Sequence, residues 1–344
     1  MKKAASSTSI PLWLIPISLV IAVVAILLAL FTGVADIAPG NTLAVLAGHG
    51  SKTAHSVIID IRLPRILTGM LAGIHLALAG LLLQSITRNP LADPSIMGIS
   101  QGATVAVTLF LVLSVYGQNP GSATLGDQLP LQYMPAVATV GGLIAGGLIY
   151  MLAFRHDLGP LRLTIFGVAV GAVLFAISTG LVAGWGSPRI EILLEWTSGS
   201  LYARTWQHVF YLLPFTIVGL AALPVLRRSI DLLRFEAPVA RSFGLAYRRQ
   251  FSLALALSCG LAASAVGVVG PIVFVGLIVP HLAKFLVGRH FILVMPLTIA
   301  LGSIVVTLGD LLGRLLGQAQ EIPIGVVTAI FGAPFLIAIL KQKR

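Results

Sequence analysis

The chain has 344 residues, of which 57% are hydrophobic and only 10% charged, against about 25% charged in an average soluble domain. At a mean hydropathy of +1.01 it cannot cover a core with polar surface. This excludes a soluble enzyme, a nucleic-acid binder and a disordered scaffold, in spite of a formal charge of +11, and the single cysteine, Cys259, excludes an internal disulfide.

Ten apolar segments follow one another, near 12–33, 63–84, 96–116, 134–154, 162–184, 206–226, 250–269, 271–287, 291–312 and 323–340. Each is too long and continuous for a barrel strand, which shows itself by alternation. Hydrocarbon offers the backbone no water, so each must bond within itself as a helix. The expected fold is an all-α polytopic membrane protein of about ten transmembrane helices, one transmembrane domain over 1–344. The first segment is expected to remain as a span. Lys2 and Lys3 resemble the start of a signal peptide, but the apolar run is too long and no small-residue cleavage site ends it. The eighth is short, as a tilted, broken or sheltered helix would be.

Lysine and arginine set the orientation. With a cytoplasmic N-terminus, 16 of them fall in inner segments and 6 in outer ones, so both termini are expected in the cytoplasm. The high charge then reports topology and an anionic inner leaflet rather than nucleic acid.

Small residues recur at helix-packing spacing: Gly69 and Gly73, Gly142 and Gly146, Gly167 and Gly171. They predict close helix contacts within the bundle. Few ionisable groups lie in the spans. His75 sits near the middle of the second and is expected to be a buried helix contact. Asp310 and Arg314, at i and i+4, can pair on one helix face. Gly48-His49-Gly50-Ser51-Lys52-Thr53 has the look of a phosphate loop, but Ser51 stands where that loop needs glycine. No catalytic constellation is visible, so the chain reads as a non-enzyme with no cofactor and no metal site. Arg62-Leu63-Pro64-Arg65 opens the second span. Pro64 suits a first helical turn, and two arginines then project at a surface poor in positive charge, as snorkelling side chains or as a docking point for an acidic partner. The only long inner segment, 227–249, reads as two short amphipathic helices broken near Pro238, with Gly244 able to end the second.

Taken together, Arg62-Leu63-Pro64-Arg65, Arg88-Asn89-Pro90-Leu91-Ala92-Asp93-Pro94, Gly98-Ile99-Ser100-Gln101-Gly102-Ala103, Trp196-Thr197-Ser198-Gly199-Ser200-Leu201, the run Gly270 to His281 and the run Asp310 to Pro334 resemble the FecCD-type permeases. These are membrane subunits of bacterial ATP-driven importers for iron–siderophore, haem or cobalamin. The resemblance covers about 60–340. It implies a multi-pass protein of the bacterial inner membrane, paired with a second permease subunit as homodimer or heterodimer. Two cytoplasmic ATPase subunits would bind below and a periplasmic substrate-binding protein would dock above. It assigns binding-protein docking to Arg62, Arg65 and Arg314. ATPase coupling falls to Leu232, Leu233, Glu236, Ala240, Phe243, Gly244 and Leu245, and a cytoplasmic gate to Asn89 and Leu91. Arg234-Phe235-Glu236 departs from the usual Leu-Gly-Glu, and a second gate element would fall near Pro160 and Leu161. A ferric siderophore is the leading cargo, with cobalamin or haem next. From a different class, an ion-coupled secondary transporter would also explain ten spans, but the near absence of intramembrane carboxylates speaks against it.

Overall fold

A computed structural model describes residues 13–33, 37–95, 97–116, 131–154, 159–183, 190–317 and 321–342. Lys2, Lys3, Arg155, Arg189, Lys343 and Arg344, which enter the orientation count, lie outside the described residues.

All regular structure in the described residues is helical. The order is α1 (Leu14–Phe31), α2 (Pro39–Leu46), α3 (Lys52–His55), a π-helical stretch Ser56–Arg62, α4 (Leu63–Thr87), α5 (Ile99–Tyr116), a 3-10 turn Leu131–Tyr133, α6 (Met134–Phe154), α7 (Pro160–Ala183), α8 (Ile190–Thr197), α9 (Trp206–Leu233), α10 (Ala237–Ser242), α11 (Tyr247–Val269), α12 (Val275–Val287), α13 (Phe291–Gly317) and α14 (Ile324–Gln342). Every one of the ten apolar segments carries a helix. Among the described residues, seven stretches are long and apolar enough to cross a membrane, and Ile99–Ser114, Val275–Val287 and Ile324–Ala338 are shorter apolar helices.

Helix α4 is the axis of the bundle. It packs on α13, α11, α9 and α12, and nearly all of it is buried. Glycines make this possible, because lipid supplies no hydrophobic drive and helices must approach closely to gain contact energy. A methyl group on Gly73 would overlap the Gly302 carbonyl of α13, and one on Gly80 would overlap Gly276 of α12. Gly142 and Gly146 meet α11 at Ala263 and Cys259, and Gly167 meets Met97. The small-residue pairs are therefore spent on contacts within the chain. By contrast, α1 and α7 are largely exposed, with Leu19, Val20, Val173 and Phe175 all turned outward, as lipid-facing helices require.

Two boundaries differ from expectation. Pro64 does not open a helix: the chain is already helical from Lys52. The π-helical stretch carries it through, with the Leu63 N–H reaching back five residues to the Ile58 carbonyl. The sixth span does not end near 226. Helix α9 runs unbroken to Leu233 in spite of Pro214 and Pro224, so the first of the two short inner helices is the end of the span itself. Only α10 is separate, with Pro238 in its first turn, where the missing N–H costs nothing.

Candidate functional site

Helix α4 has 25 residues and is about 37 Å long, so Arg65 and Thr87 mark opposite ends of the bundle. At the first end, arginines and carboxylates interlock. Arg65 Nη2 donates to Asp310 Oδ1 at 2.7 Å and its Nε to Oδ2 at 3.1 Å. Its other edge grips Glu321, with Nη1 to Oε1 at 3.0 Å and Nη2 to Oε2 at 2.8 Å. One guanidinium thus ties α4 to α13 and to the segment leading into α14. Arg314 Nε lies 3.0 Å from Asp310 Oδ2, while its Nη2 is buried without a hydrogen-bond partner. Arg62 points inward: it is 4% exposed and its Nη1 donates to the Leu30 carbonyl at 2.9 Å. The expectation that Arg62 and Arg65 project side by side from an exposed helix start is thereby corrected. The helix does not start there, and both side chains turn into the bundle. Glu321 is the most open member, its side chain 26% exposed. The sequence assigns it no role, and its one signal is an acidic residue just before Ile322-Pro323. Nearby, Arg204 lines a cavity of about 630 Å³ with Trp196, Tyr202, His208 and Tyr211. Burial pushes the Arg204 pKa down to about 10, against the pull of Glu195.

At the opposite end, α9 turns through Arg234 into α10. Leu233 and Ala240 are fully buried, and Ala240 forms part of the packed core. Leu232 and Leu245 are half-buried, while Glu236 is exposed in the N-cap position of α10. Outward-facing are Phe235, Val239 and Phe243, with the two rings 6.5 Å apart. Phe235 just before α10, Val239 within it and Phe243 just after it make one exposed apolar ridge, and Phe235 and Val239 are absent from the expected set. Gly244 has φ +77° and its N–H bonds the Arg241 carbonyl, while Leu245 N–H bonds that of Ala240, as in a left-handed helix stop.

Helix α4 ends on Arg88, itself at φ 54°. Asn89 Oδ1 then accepts from the Leu91 N–H at 3.0 Å, which fixes the turn bearing both proposed gate residues, each half-buried. Behind them Asp93 is 2% exposed. It accepts from Ser95 N–H at 2.7 Å and from the Ser95 hydroxyl. Its other oxygen, Oδ2, lies against the first turn of α12 at Gly276, buried and without a hydrogen-bond partner, at a place favourable for negative charge. Burial raises its pKa above the usual carboxylate range, and the Ser95 bonds oppose the rise. Leu161, in the first turn of α7, is 72% exposed.

Between the two ends His75 is wholly buried. Nδ1 is 3.1 Å from Ser264 Oγ and Nε2 2.7 Å from Thr216 Oγ1. It cross-links α4, α9 and α11, and among the described residues no group of three or more His, Cys, Asp or Glu could hold a metal. The Gly48–Thr53 segment is a turn in which Ser51 caps α3, accepting from Ala54 N–H at 3.2 Å.

The family model described as the FecCD transport family matches residues 21–342. The iron(3+)-hydroxamate import system permease protein FhuG of Bacillus subtilis is 32% identical over 339 residues, covering 98% of this chain and 99% of that one. The ferric enterobactin transport system permease protein FepD of Escherichia coli is 33% identical over 332 residues, 96% and 95% of the two chains. The cobalamin import system permease protein BtuC of Halobacterium salinarum is 35% identical over 294 residues, 85% and 75%. Among solved structures, an inward-facing metal-chelate type ABC transporter superposes with a TM-score of 0.80 at 27% identity, over 97% of this chain and 99% of that one.

Proposed function

We propose, on the premise that this chain belongs to the FecCD transport family, that it is the membrane permease subunit of an ATP-driven importer and that its cargo is a ferric siderophore. The observation that carries this reading is end-to-end similarity to permeases of ferric-chelate import systems. Similarity to a cobalamin permease supports cobalamin as the second cargo.

In this reading the end bearing Arg65 faces the periplasm and the end bearing α10 faces the cytoplasm of a bacterial inner membrane. The ridge Phe235, Val239 and Phe243, with Gly244 behind it, seats in a cleft of the ATPase. Leu232, Leu233, Glu236, Ala240 and Leu245 hold that ridge on the bundle. Arg65, Arg314 and Arg62 receive acidic side chains of a periplasmic binding protein, with Glu321 as the internal carboxylate those side chains would displace. Arg314 suits this role because it keeps a buried unpartnered donor. Asn89 and Leu91 close the cytoplasmic mouth, and a second permease subunit completes the path. Multi-pass insertion agrees with the seven long apolar helices.

The test is uptake by a deletion strain carrying the gene. Growth should return on one ferric chelate, require the partner ATPase, and withstand an ionophore that collapses the proton gradient. Restoration by the permease without the ATPase, or its loss with the ionophore alone, favours an ion-coupled carrier instead. Cobalamin-dependent growth without iron-chelate uptake selects the second cargo.

A further inference from the structure

The end of the bundle opposite the arginine–carboxylate network holds a cavity of about 460 Å³ whose wall carries Arg88, Arg234, Lys284 and Arg289, with the exposed ring of Phe285 at its rim. It lies between the C-terminal ends of α4, α9 and α12. We infer that this cavity is a binding site for the phosphate head group of an anionic phospholipid of the adjoining leaflet.

Two of the four cations, Lys284 and Arg234, are held by neutral partners. Gln84 donates through Nε2 to the carbonyls of Gly276 and Leu277, at 3.2 and 3.1 Å. That leaves its Oε1 to accept from Lys284 Nζ at 2.8 Å. The ammonium is thus aimed by an amide that is itself locked to α12. Arg234 donates through Nη1 to the Arg289 carbonyl. The carboxylate nearby is Asp231, 3.4 Å from Arg234 Nη1 and 40% exposed, which screens it with water. Arg234 Nη2 is buried without a hydrogen-bond partner. Arg234 and Arg289 both repel Lys284. Three helix C-termini do attract positive charge, but that attraction fades within the last turn. It neither fills the cavity nor gives the Arg234 donor a partner. A phosphate, with its strong acceptor oxygens, does both.

The rim decides which phosphate. Phe285 is 71% exposed and adjacent in sequence to Lys284, within the last turn of α12. The Phe285 ring is apolar throughout, and Lys284 beside it carries its charge on an apolar stem, so hydrocarbon and positive charge meet at this rim. A soluble anion would leave that ring in water. A phospholipid covers it with the start of an acyl chain while the head group enters the basic cavity, and basic pockets between spans on the cytoplasmic side take anionic head groups. The identification of this end as cytoplasmic rests on the proposed orientation; the anion site itself does not.

The experiment is native mass spectrometry of the purified full-length chain released from detergent micelles. The micelles contain phosphatidylglycerol or phosphatidylcholine, each with and without excess inorganic phosphate. Wild type should keep phosphatidylglycerol and not phosphatidylcholine, and inorganic phosphate should compete poorly. Each cation removed should lower retention about fivefold, in Arg289→Gln, an exposed position that leaves packing untouched, and in Lys284→Met. Equal retention of the two lipids by wild type would overturn the proposal. So would unchanged phosphatidylglycerol retention by correctly folded Arg289→Gln, or full displacement by inorganic phosphate, which would make this a soluble-anion site. Loss of transport with normal lipid retention would instead bear on the proposed function alone.

Discussion

Replacing Arg65 by methionine keeps the apolar stem and deletes the charge that joins α4, α13 and the approach to α14. The Asp310 arm is two-pronged, 2.7 and 3.1 Å, with side chains 11% and 7% exposed. Breaking an ion pair buried so deeply costs about 3–5 kcal/mol, because the remaining charge stays desolvated. Arg314, 3.0 Å from the same carboxylate, keeps part of the compensation, which places this arm near the low end, about 3 kcal/mol. The Glu321 arm is 2.8 Å, but its carboxylate is 26% exposed and water recovers most of the loss, leaving about 1 kcal/mol or less. Arg65→Met should therefore lower stability by about 3–4 kcal/mol, most of it through Asp310. The assay is denaturant unfolding in a mild detergent for Arg65→Met, Asp310→Asn and the double variant. In the double variant the stranded charges are removed together, so the cycle should give a coupling of about 2–3 kcal/mol. Single-variant costs that simply add, within about 0.5 kcal/mol, would refute the idea that these side chains act as one network. Glu321→Gln should be much milder than Asp310→Asn in the same assay; the reverse order would show that exposure is a poor guide here.

Docking is tested in variants that still fold, since Arg65→Glu also sets a third carboxylate beside Asp310 and Glu321: it should weaken association with the binding protein at least tenfold, about 1.4 kcal/mol. A Glu→Arg change on the partner should partly restore it, whereas unchanged affinity for both Arg65→Glu and Arg62→Glu removes the docking role. Gly244→Val forces a β-branched residue to φ +77°, a strain of about 1–3 kcal/mol. It should reduce transport while ATP hydrolysis continues, and full transport by an assembled complex would count against a coupling role. His75→Ala should leave uptake within a few-fold of normal, because Thr216 and Ser264 retain backbone acceptors at Leu212 and Leu261, both 3.0 Å away; abolished uptake with normal assembly would show a role in the path.

The helices were legible because hydrocarbon forces a long apolar run into one conformation. That logic says little about where a helix begins. Pro64 resembled a helix start on local chemistry, and what carries the backbone past it is the π-helical register from Ser56 to Arg62, a tertiary accommodation with no signature of its own. Pairing in space was equally hidden. Asp310 and Arg314 could be matched by helical spacing, but Arg65 and Asp310 are 245 residues apart, and nothing in either neighbourhood announces the other. The basic cavity escaped for the same reason: Arg88, Arg234 and the Lys284–Arg289 pair come from three separated stretches and were counted only as inward-biased charge. The ridge on α10 was half seen, because the packing that buries Leu233 and Ala240 decides which apolar residues of an amphipathic turn remain outside.

The short helices gain a physical reason from Asp93. A non-helical backbone within a membrane protein is tolerated where protein covers it and its polar groups are bonded. The stretch from Asn89 to Gly98 and the stretch from Gly270 to Phe274 both break helices, and much of each is buried: Ala92, Asp93, Ser95 and Met97 in one, Gly270 and Ile272 in the other. Asp93 joins them. Its carboxylate satisfies Ser95 in its own loop and lies against the first turn of α12 at Gly276, so the loop that bears Asn89 and Leu91 packs on the helix that bears Lys284. Gly276 must be glycine for this, since a side chain there would press on Pro94, the Leu76 carbonyl and the Asp93 carboxylate itself. Helix α12 begins partway through the bundle, with its Leu277 and Ile278 N–H groups turned back to the Phe274 carbonyl at 3.2 and 2.8 Å, and 13 residues suffice where a full span needs about 20. In the proposed transporter, a motion of α10 and the end of α9 reaches the gate turn through this same junction, because Arg234 at the end of α9 binds the Arg289 carbonyl just beyond α12.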